Sequence, residues 1–208
     1  MFTCVAIFLA VALAWVPAPA QIVDLCGSTA MSAGGCLVTC PEGDGYRLSD
    51  IGATIQVTVV YQGEPVPNIP ATDFWLIECD PVDELILCGG SQSASADGPT
   101  DAAGQTTISG TIAAGGCAES LALIVQGVLI YDPSTNCETI LCLPIKARSP
   151  DLNLDLVVNL SDLALFAVPF SSGVYDACAD FNCDQKVGLQ DLSTFAFHYG
   201  PPGHSCFP

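Results

Sequence analysis

Residues 151–162 read DLNLDLVVNLSD, and residues 180–191 read DFNCDQKVGLQD. The two segments have the same length and start 29 residues apart. Both carry aspartate or asparagine at positions 1, 3, 5 and 12, and the last aspartate of each begins the run Asp-Leu-x-x-Phe-Ala. Because the repeat covers the loop and the segment after it, we interpret it as one structural unit present in two copies.

The spacing of oxygen-bearing side chains in these two loops predicts calcium binding. Calcium takes roughly six to eight oxygen ligands, and an EF-hand loop supplies them from positions 1, 3, 5, 7, 9 and 12. In the first loop (residues 151–162) the predicted ligands are Asp151, Asn153, Asp155, the Val157 carbonyl, Asn159 through a water, and Asp162. In the second loop (residues 180–191) they are Asp180, Asn182, Asp184, the Lys186 carbonyl and Asp191, with position 9 left to water. A metal-free turn rich in Asp and Asn explains one such match, but two in the same register favour two calcium ions.

Position 6 of such a loop needs a left-handed turn, which glycine adopts most easily. Here that position holds Leu156 and Gln185. A bulky residue at positive φ costs on the order of 1–2 kcal/mol. We therefore expect the first loop to be the weaker site unless its turn is reshaped.

One helix is predicted after each loop and none before it. Apolar residues at helical spacing follow both loops, namely Leu163, Phe166, Ala167 and Phe170, then Leu192, Phe195, Ala196 and Tyr199. Pro150 disfavours helix before the first loop, and residues 171–173 interrupt the approach to the second. Pro169 and residues 200–202 mark the predicted helix ends.

A calcium loop followed by one helix, duplicated and with aspartate at position 12, resembles the type I dockerin module of secreted bacterial proteins. The resemblance covers about a quarter of the chain, and the module is assigned residues 149–208. It implies calcium at the ligands named above and docking to a cohesin-like partner. In dockerins positions 10 and 11 contact the partner and are often Ser-Thr, whereas here they are Leu160-Ser161 and Leu189-Gln190.

Residues 52–148 contain short apolar runs separated by turn residues, a pattern typical of a β-sandwich. The predicted strands cover residues 55–61, 74–79, 85–88, 106–112, 121–131 and 140–145. Roughly six or seven strands match the count of an immunoglobulin-like domain, and the turns at residues 63–67 and 100–106 resemble those of bacterial Ig-like domains of surface proteins. The predicted fold is therefore mainly β, an Ig-like sandwich followed by a small helical, dockerin-like module. Residues 21–51, rich in Cys and Gly, are expected to form a disulfide-tied arm or an added edge strand.

Residues 1–20 are apolar, carry no charge and end in Ala18-Pro19-Ala20. This pattern predicts a cleaved signal peptide, and no other stretch is long enough to span a membrane. Eleven of the twelve cysteines would remain after cleavage, and export favours disulfides. A zinc site is disfavoured because it needs Cys-x-x-Cys or cysteines with nearby histidines, and His198 and His204 are the two histidines of the sequence.

The expected local pairs are Cys36 with Cys40, Cys79 with Cys88, and Cys117 with Cys137 or Cys142. Near the C-terminus we predict a bridge between Cys178 and Cys206. That pairing leaves Cys183 free or bonded to another subunit.

The formal net charge is −18, from 22 acidic and 4 basic residues. Such a chain repels nucleic-acid phosphates and attracts cations, so no nucleic-acid partner is expected. The sequence contains neither Gly-x-Ser-x-Gly nor His-Glu-x-x-His, and its two histidines lie in the last eleven residues. Asp80, Asp83 and Glu84 could serve as acid and base, but their Asp-Pro-Val-Asp run is more typical of a solvated turn.

We therefore predict a secreted, non-enzymatic, calcium-binding structural or adhesive protein of bacterial origin. It would be a self-assembling subunit of an extracellular or cell-surface structure. The alternative is a dockerin-type recognition module that docks a cohesin-like partner.

Overall fold

The structure is a computed structural model that describes residues 23–88 and 95–200. The predicted signal peptide over residues 1–20 and the C-terminal residues 201–208 lie outside this range. Within it the chain has thirteen strands and two α-helices, which confirms a mainly β fold. No helix in the described ranges is long and apolar enough to cross a membrane.

The strands are short and follow one another for most of the chain before the two helices. They are β1 (Thr29–Met31), β2 (Gly35–Val38), β3 (Ile55–Thr58), β4 (Val60–Tyr61), β5 (Glu64–Pro65), β6 (Phe74–Glu78), β7 (Glu84–Leu87), β8 (Gln105–Ile108), β9 (Ala114–Ala118), β10 (Leu121–Val125), β11 (Val128–Leu129), β12 (Cys142–Leu143) and β13 (Ile145–Arg148). The helices are α1 (Leu160–Ser172) and α2 (Leu189–His198).

The strands form three larger sheets and one small hairpin. One sheet has the order β1-β3-β8, and another has the order β2-β13-β9-β7. In the third, β10 pairs with β6 along its whole length and with β12 and β11 at its two ends. All these pairs are antiparallel except β2 with β13, and β4 pairs with β5.

A single apolar cluster contains residues from all three larger sheets. Its members include Ala30, Leu37, Ile55, Phe74, Leu85, Ile108, Leu121 and Ile145. In β3, buried Ile55 and Val57 alternate with exposed Gln56, because successive side chains of a strand point to opposite faces. The described strands therefore enclose one core, and the Ig-like topology stays a prediction.

The described part of the cysteine- and glycine-rich segment, residues 23–51, contributes edge strands to two sheets. β1 is an edge strand and pairs with β3, and β2 is the edge strand of the other sheet and pairs with β13. Cys26 in the same segment is bonded to Cys137. The segment thus has the features of both expected alternatives, an added strand and a disulfide tie.

The four disulfides among the described residues join positions far apart in sequence. They are Cys26–Cys137, Cys36–Cys183, Cys79–Cys142 and Cys117–Cys178. The expected local pairs are therefore wrong, as are the Cys178–Cys206 bridge and the free Cys183. Tertiary folding, and not proximity along the chain, brings the bonded Cα atoms within 5.5 to 5.9 Å. The free thiol in the described ranges is the buried Cys40.

The helical segment packs on the sheet that contains β2 and β9. A second apolar cluster combines residues of the loops and helices with Val38 and Cys40. Within it the ring of Phe166 stacks on Phe181 and Phe195, with centroid distances of 5.8 and 5.7 Å. Two of the disulfides, Cys36–Cys183 and Cys117–Cys178, connect the same two regions.

No α-helix leads directly into either loop, as predicted. The first loop follows β13, and the second follows a short 3-10 turn at Ala177–Ala179. However, α1 continues through Pro169, where we expected it to end, and stops at Ser172. Gly173 ends the helix because it takes the left-handed conformation, with φ 69°, and its N–H donates to the Pro169 carbonyl.

Candidate metal centre

The first loop gathers its three predicted carboxylate ligands at one point. Oxygens of Asp151, Asp155 and Asp162 all lie within 4.8 Å of one another. Asp151 also accepts hydrogen bonds from the N–H groups of Asp155 at 3.2 Å and Leu156 at 2.9 Å. The loop backbone is therefore wrapped around its first carboxylate.

Asp162, at position 12, joins the start of the loop to the start of α1. One of its oxygens accepts from the N–H groups of Leu152 at 2.9 Å and Asn153 at 3.1 Å. The other accepts from Asn159 at 2.8 Å, which forms a capping box with the Asn159 side chain. A single side chain thus closes the loop and begins the helix.

The remaining predicted ligands of the first loop lie beside this cluster. The amide of Asn153 donates to an Asp155 carboxylate oxygen at 2.9 Å, and its own oxygen accepts from the Asp155 N–H at 3.0 Å. Asn159 instead caps α1 by accepting from the Ser161 N–H at 2.8 Å. Its amide donates to the Val157 carbonyl at 3.1 Å, so these two predicted ligands contact each other.

The second loop repeats the hydrogen-bond pattern of the first. Asp180 accepts from the N–H groups of Asp184 at 3.1 Å and Gln185 at 2.8 Å. Asp191 accepts from Phe181, Asn182 and Gly188, at 2.8, 3.3 and 2.9 Å. The duplication in the sequence is therefore a duplication of backbone geometry.

Two features distinguish the second loop. The hydroxyl of Tyr175 donates to Asp180 at 3.0 Å, and the amide of Asn182 donates to Gln190 at 2.8 Å. The loop motif does not point to Tyr175, because this residue lies outside the loop and has no counterpart in the first copy. The Lys186 side chain is exposed.

Both loops place non-glycine residues in the left-handed region at the same two positions. At position 6, Leu156 and Gln185 have φ values of 63° and 68°. This confirms the expected turn, but it removes position 6 as a reason for the first site to be the weaker one. Leu154 and Cys183, at position 4, also have positive φ, at 65° and 56°, which the sequence did not predict.

Four loop carboxylates are withdrawn from solvent. Asp151, Asp162, Asp180 and Asp191 are each no more than 1% exposed. The three ion pairs found among residues 23–88 and 95–200 involve Glu119 and Asp44, and none of these four. Burying an ionised carboxylate without a cation costs several kcal/mol, so the arrangement favours a bound cation. Oxygen-only ligands at these positions fit calcium.

Burial raises the pKa of Asp151 to about 6, although the Leu156 N–H opposes the shift, and repulsion from Asp162 and Asp155 adds to it. Burial also raises the pKa of Asp162, against the hydrogen bonds from Asn159, Asn153 and Leu152. Without a metal, the folded loop therefore holds protons more tightly than an exposed loop does.

Calcium-free protein is expected to lose stability as the pH rises. The ordinary pKa of Asp151 is 3.8 and its folded value is about 6, so its stabilising contribution is present below 3.8 and is lost as the pH rises through about 6. The loss is on the order of 2–3 kcal/mol. Thermal unfolding of chelator-treated protein from about pH 4 to about pH 7 measures it. Asp151→Asn should flatten this dependence, and an unchanged slope in that variant would contradict the assignment.

The first loop is also fitted onto strand β9. The Gly116 N–H donates to the Asp151 carbonyl, and the Ser149 N–H donates to the Gly116 carbonyl, both at 2.9 Å. A Cβ added to Gly115 would overlap a carboxylate oxygen of Asp151. Glycine at this position therefore lets the sheet approach the candidate ligand, a role that the sequence pattern did not reveal.

No family model, curated protein sequence or solved structure matches this chain. The first loop brings three carboxylates within 4.8 Å of one another, and the second loop repeats its hydrogen-bond pattern.

Proposed function

We propose that this protein is a secreted, non-enzymatic, calcium-binding structural subunit of an extracellular or cell-surface assembly. Each loop would hold one calcium ion through the ligands predicted from its sequence. The bound ions would fix the helical segment against the sheet that contains β9.

The observation that carries this proposal is the pair of loops that share one hydrogen-bond pattern around buried carboxylates. The three gathered carboxylates of the first loop repel one another when no ion is bound. A divalent cation cancels that repulsion and accepts oxygens at this spacing. Calcium concentration outside cells suits loops of this kind, whose affinity in extracellular modules is in the weak range.

Covalent ties and net charge support an extracellular setting. Several disulfides are typical of an oxidising environment. A charge of −18 keeps copies of the chain apart. Calcium would reduce this repulsion and so allow neighbouring subunits to touch.

The apolar surface of the two helices favours a second candidate, docking to a cohesin-like partner. Leu160 and Leu189, the first residues of α1 and α2, are 68% and 76% exposed. Phe197 on α2 is 77% exposed. A contiguous exposed apolar patch is typical of a protein interface, and the leucines occupy the positions that contact the partner in dockerins.

Light scattering and negative-stain images of the full, oxidised chain distinguish the two candidates. We expect particles to grow when calcium is added and to dissociate when it is chelated. Monomers at every calcium concentration would overturn self-assembly and leave partner docking.

A matched pair of variants locates the contact surface. Leu160→Ser with Leu189→Ser should keep calcium binding and prevent growth of the particles. Val82→Ser removes a side chain that is 80% exposed in the turn between β6 and β7, and it should assemble like the wild type. Equal assembly by both variants would exclude the start of the helices as the contact.

A further inference from the structure

Three side chains of different chemistry meet where the end of α2 contacts the turn after β2. Ligand atoms of Cys40, Asp44 and His198 all lie within 4.8 Å of one another. We call these residues the Cys40 cluster. Cys40 and His198 are 1% and 5% exposed, whereas the Asp44 side chain is 49% exposed. The cluster is therefore buried on two sides and open to water at the carboxylate.

Backbone hydrogen bonds hold the turn that carries two of these side chains. The Cys40 carbonyl accepts from the N–H of Gly43 at 2.9 Å and from that of Ala114, in β9, at 3.2 Å. The Tyr46 N–H donates to the Val38 carbonyl at 2.9 Å. The thiol and the carboxylate are therefore positioned by the sheet and do not depend on a flexible loop.

His198 has a buried nitrogen whose hydrogen-bonding capacity is unused. Its Nδ1 lies 3.3 Å from a carboxylate oxygen of Asp44 but makes no hydrogen bond. In a neutral imidazole, a buried nitrogen that makes no hydrogen bond costs about 1–3 kcal/mol, and only a protonated ring would form an ion pair with Asp44. This atom faces the cluster, so a ligand placed there would satisfy it.

We propose that the Cys40 cluster binds a zinc-like divalent cation through the Cys40 thiolate, the Asp44 carboxylate and the His198 Nδ1. The open side at Asp44 would supply water as a fourth ligand. The site does not depend on the calcium loops for its ligands, and it would join the C-terminal end of α2 to the turn after β2.

The ligand set selects the metal. Zinc binds cysteine, histidine and aspartate in tetrahedral sites, whereas calcium takes oxygen ligands only. Without metal, burial raises the pKa of the Cys40 thiol, and a hydrogen bond and repulsion from Asp44 add to the shift. Binding would release the thiol proton to water, since a coordinating thiol is deprotonated.

Cobalt is the direct spectroscopic probe because a thiolate–cobalt bond gives a near-ultraviolet charge-transfer band. The full, oxidised chain is saturated with calcium, freed of other metals and titrated with cobalt. We expect the band to saturate at one cobalt per chain and to disappear when zinc is added. No band, or a band that zinc does not remove, would overturn the proposal.

Two variants and a control identify the ligands. Cys40→Ser should lose the band, and His198→Gln should lose it or need much more cobalt to reach it. Glu64→Gln removes an exposed carboxylate in β5 and should match the wild type. Near-ultraviolet circular dichroism verifies that the variants are folded, and calcium titration verifies that both loops still bind calcium. A folded Cys40→Ser protein that keeps the band would refute the site, whereas loss of calcium binding alone would affect only the proposed function.

Discussion

Loss of one of two calcium ions is the expected result of replacing Asp162 by alanine. Its carboxylate is the predicted position-12 ligand and also accepts hydrogen bonds from three backbone N–H groups of the first loop. An unsatisfied buried donor costs about 1–3 kcal/mol. We therefore expect the calcium-saturated protein to lose about 3 kcal/mol or more of unfolding free energy. Calcium titration and thermal unfolding of the same preparation measure both effects.

The second copy provides the matched comparison. Asp191→Ala removes the equivalent acceptor of Phe181, Asn182 and Gly188, so it should abolish the other site. The double variant should bind no calcium in the loops, and Glu64→Gln should bind two ions. Two ions retained by the Asp162→Ala protein would show that position 12 is not a ligand.

A methyl group added at Gly115, which lies in β9 and outside the loop, is expected to prevent calcium binding by the first loop. The added Cβ would overlap the Asp151 carboxylate, so either the sheet or the ligand must move. Overpacking of this kind costs about 1–3 kcal/mol. We expect Gly115→Ala to bind one calcium ion, at the second loop, and to unfold at a lower temperature.

Gly110→Ala is the control for the glycine change itself. No heavy atom lies within 4 Å of a Cβ placed at Gly110, so this variant should bind two ions with normal stability. If Gly115→Ala also binds two ions with wild-type affinity, the first loop does not bind calcium through Asp151 in its present position.

Much of the loop geometry could be predicted from sequence because the motif is local. Aspartates at positions 1 and 12 accept hydrogen bonds from backbone N–H groups within the same twelve residues. Their spacing in the sequence is therefore enough to bring the two carboxylates together. The left-handed turn at Leu156 and Gln185 follows from the same pattern. Metal occupancy and partner choice stay predictions.

The sheet was harder to predict because its pairings are distant and its signals are weak. The apolar run over residues 121–131 predicts one strand, but positive φ at Gln126 and Gly127 separates β10 from β11. Strand β9 contains Gly115 and Gly116 and has little of the residue preference of a strand. Only the folded structure shows that Gly115 in β9 leaves room for the Asp151 carboxylate of the first loop.

The disulfides and the Cys40 cluster show the same limit. Cys36 and Cys183 are 147 positions apart, and Cys40 meets His198 only because α2 packs near the turn after β2. Spacing rules detect ligands and partners that are close in sequence. They contain no information on contacts that the tertiary fold creates.

The central claim, that the two loops bind calcium, is tested most directly by isothermal titration of the full, oxidised, calcium-free chain with calcium. We expect two ions per chain, with dissociation constants at or below the millimolar range of extracellular modules, and a higher unfolding temperature in the bound state. Absence of binding at millimolar calcium would contradict the claim.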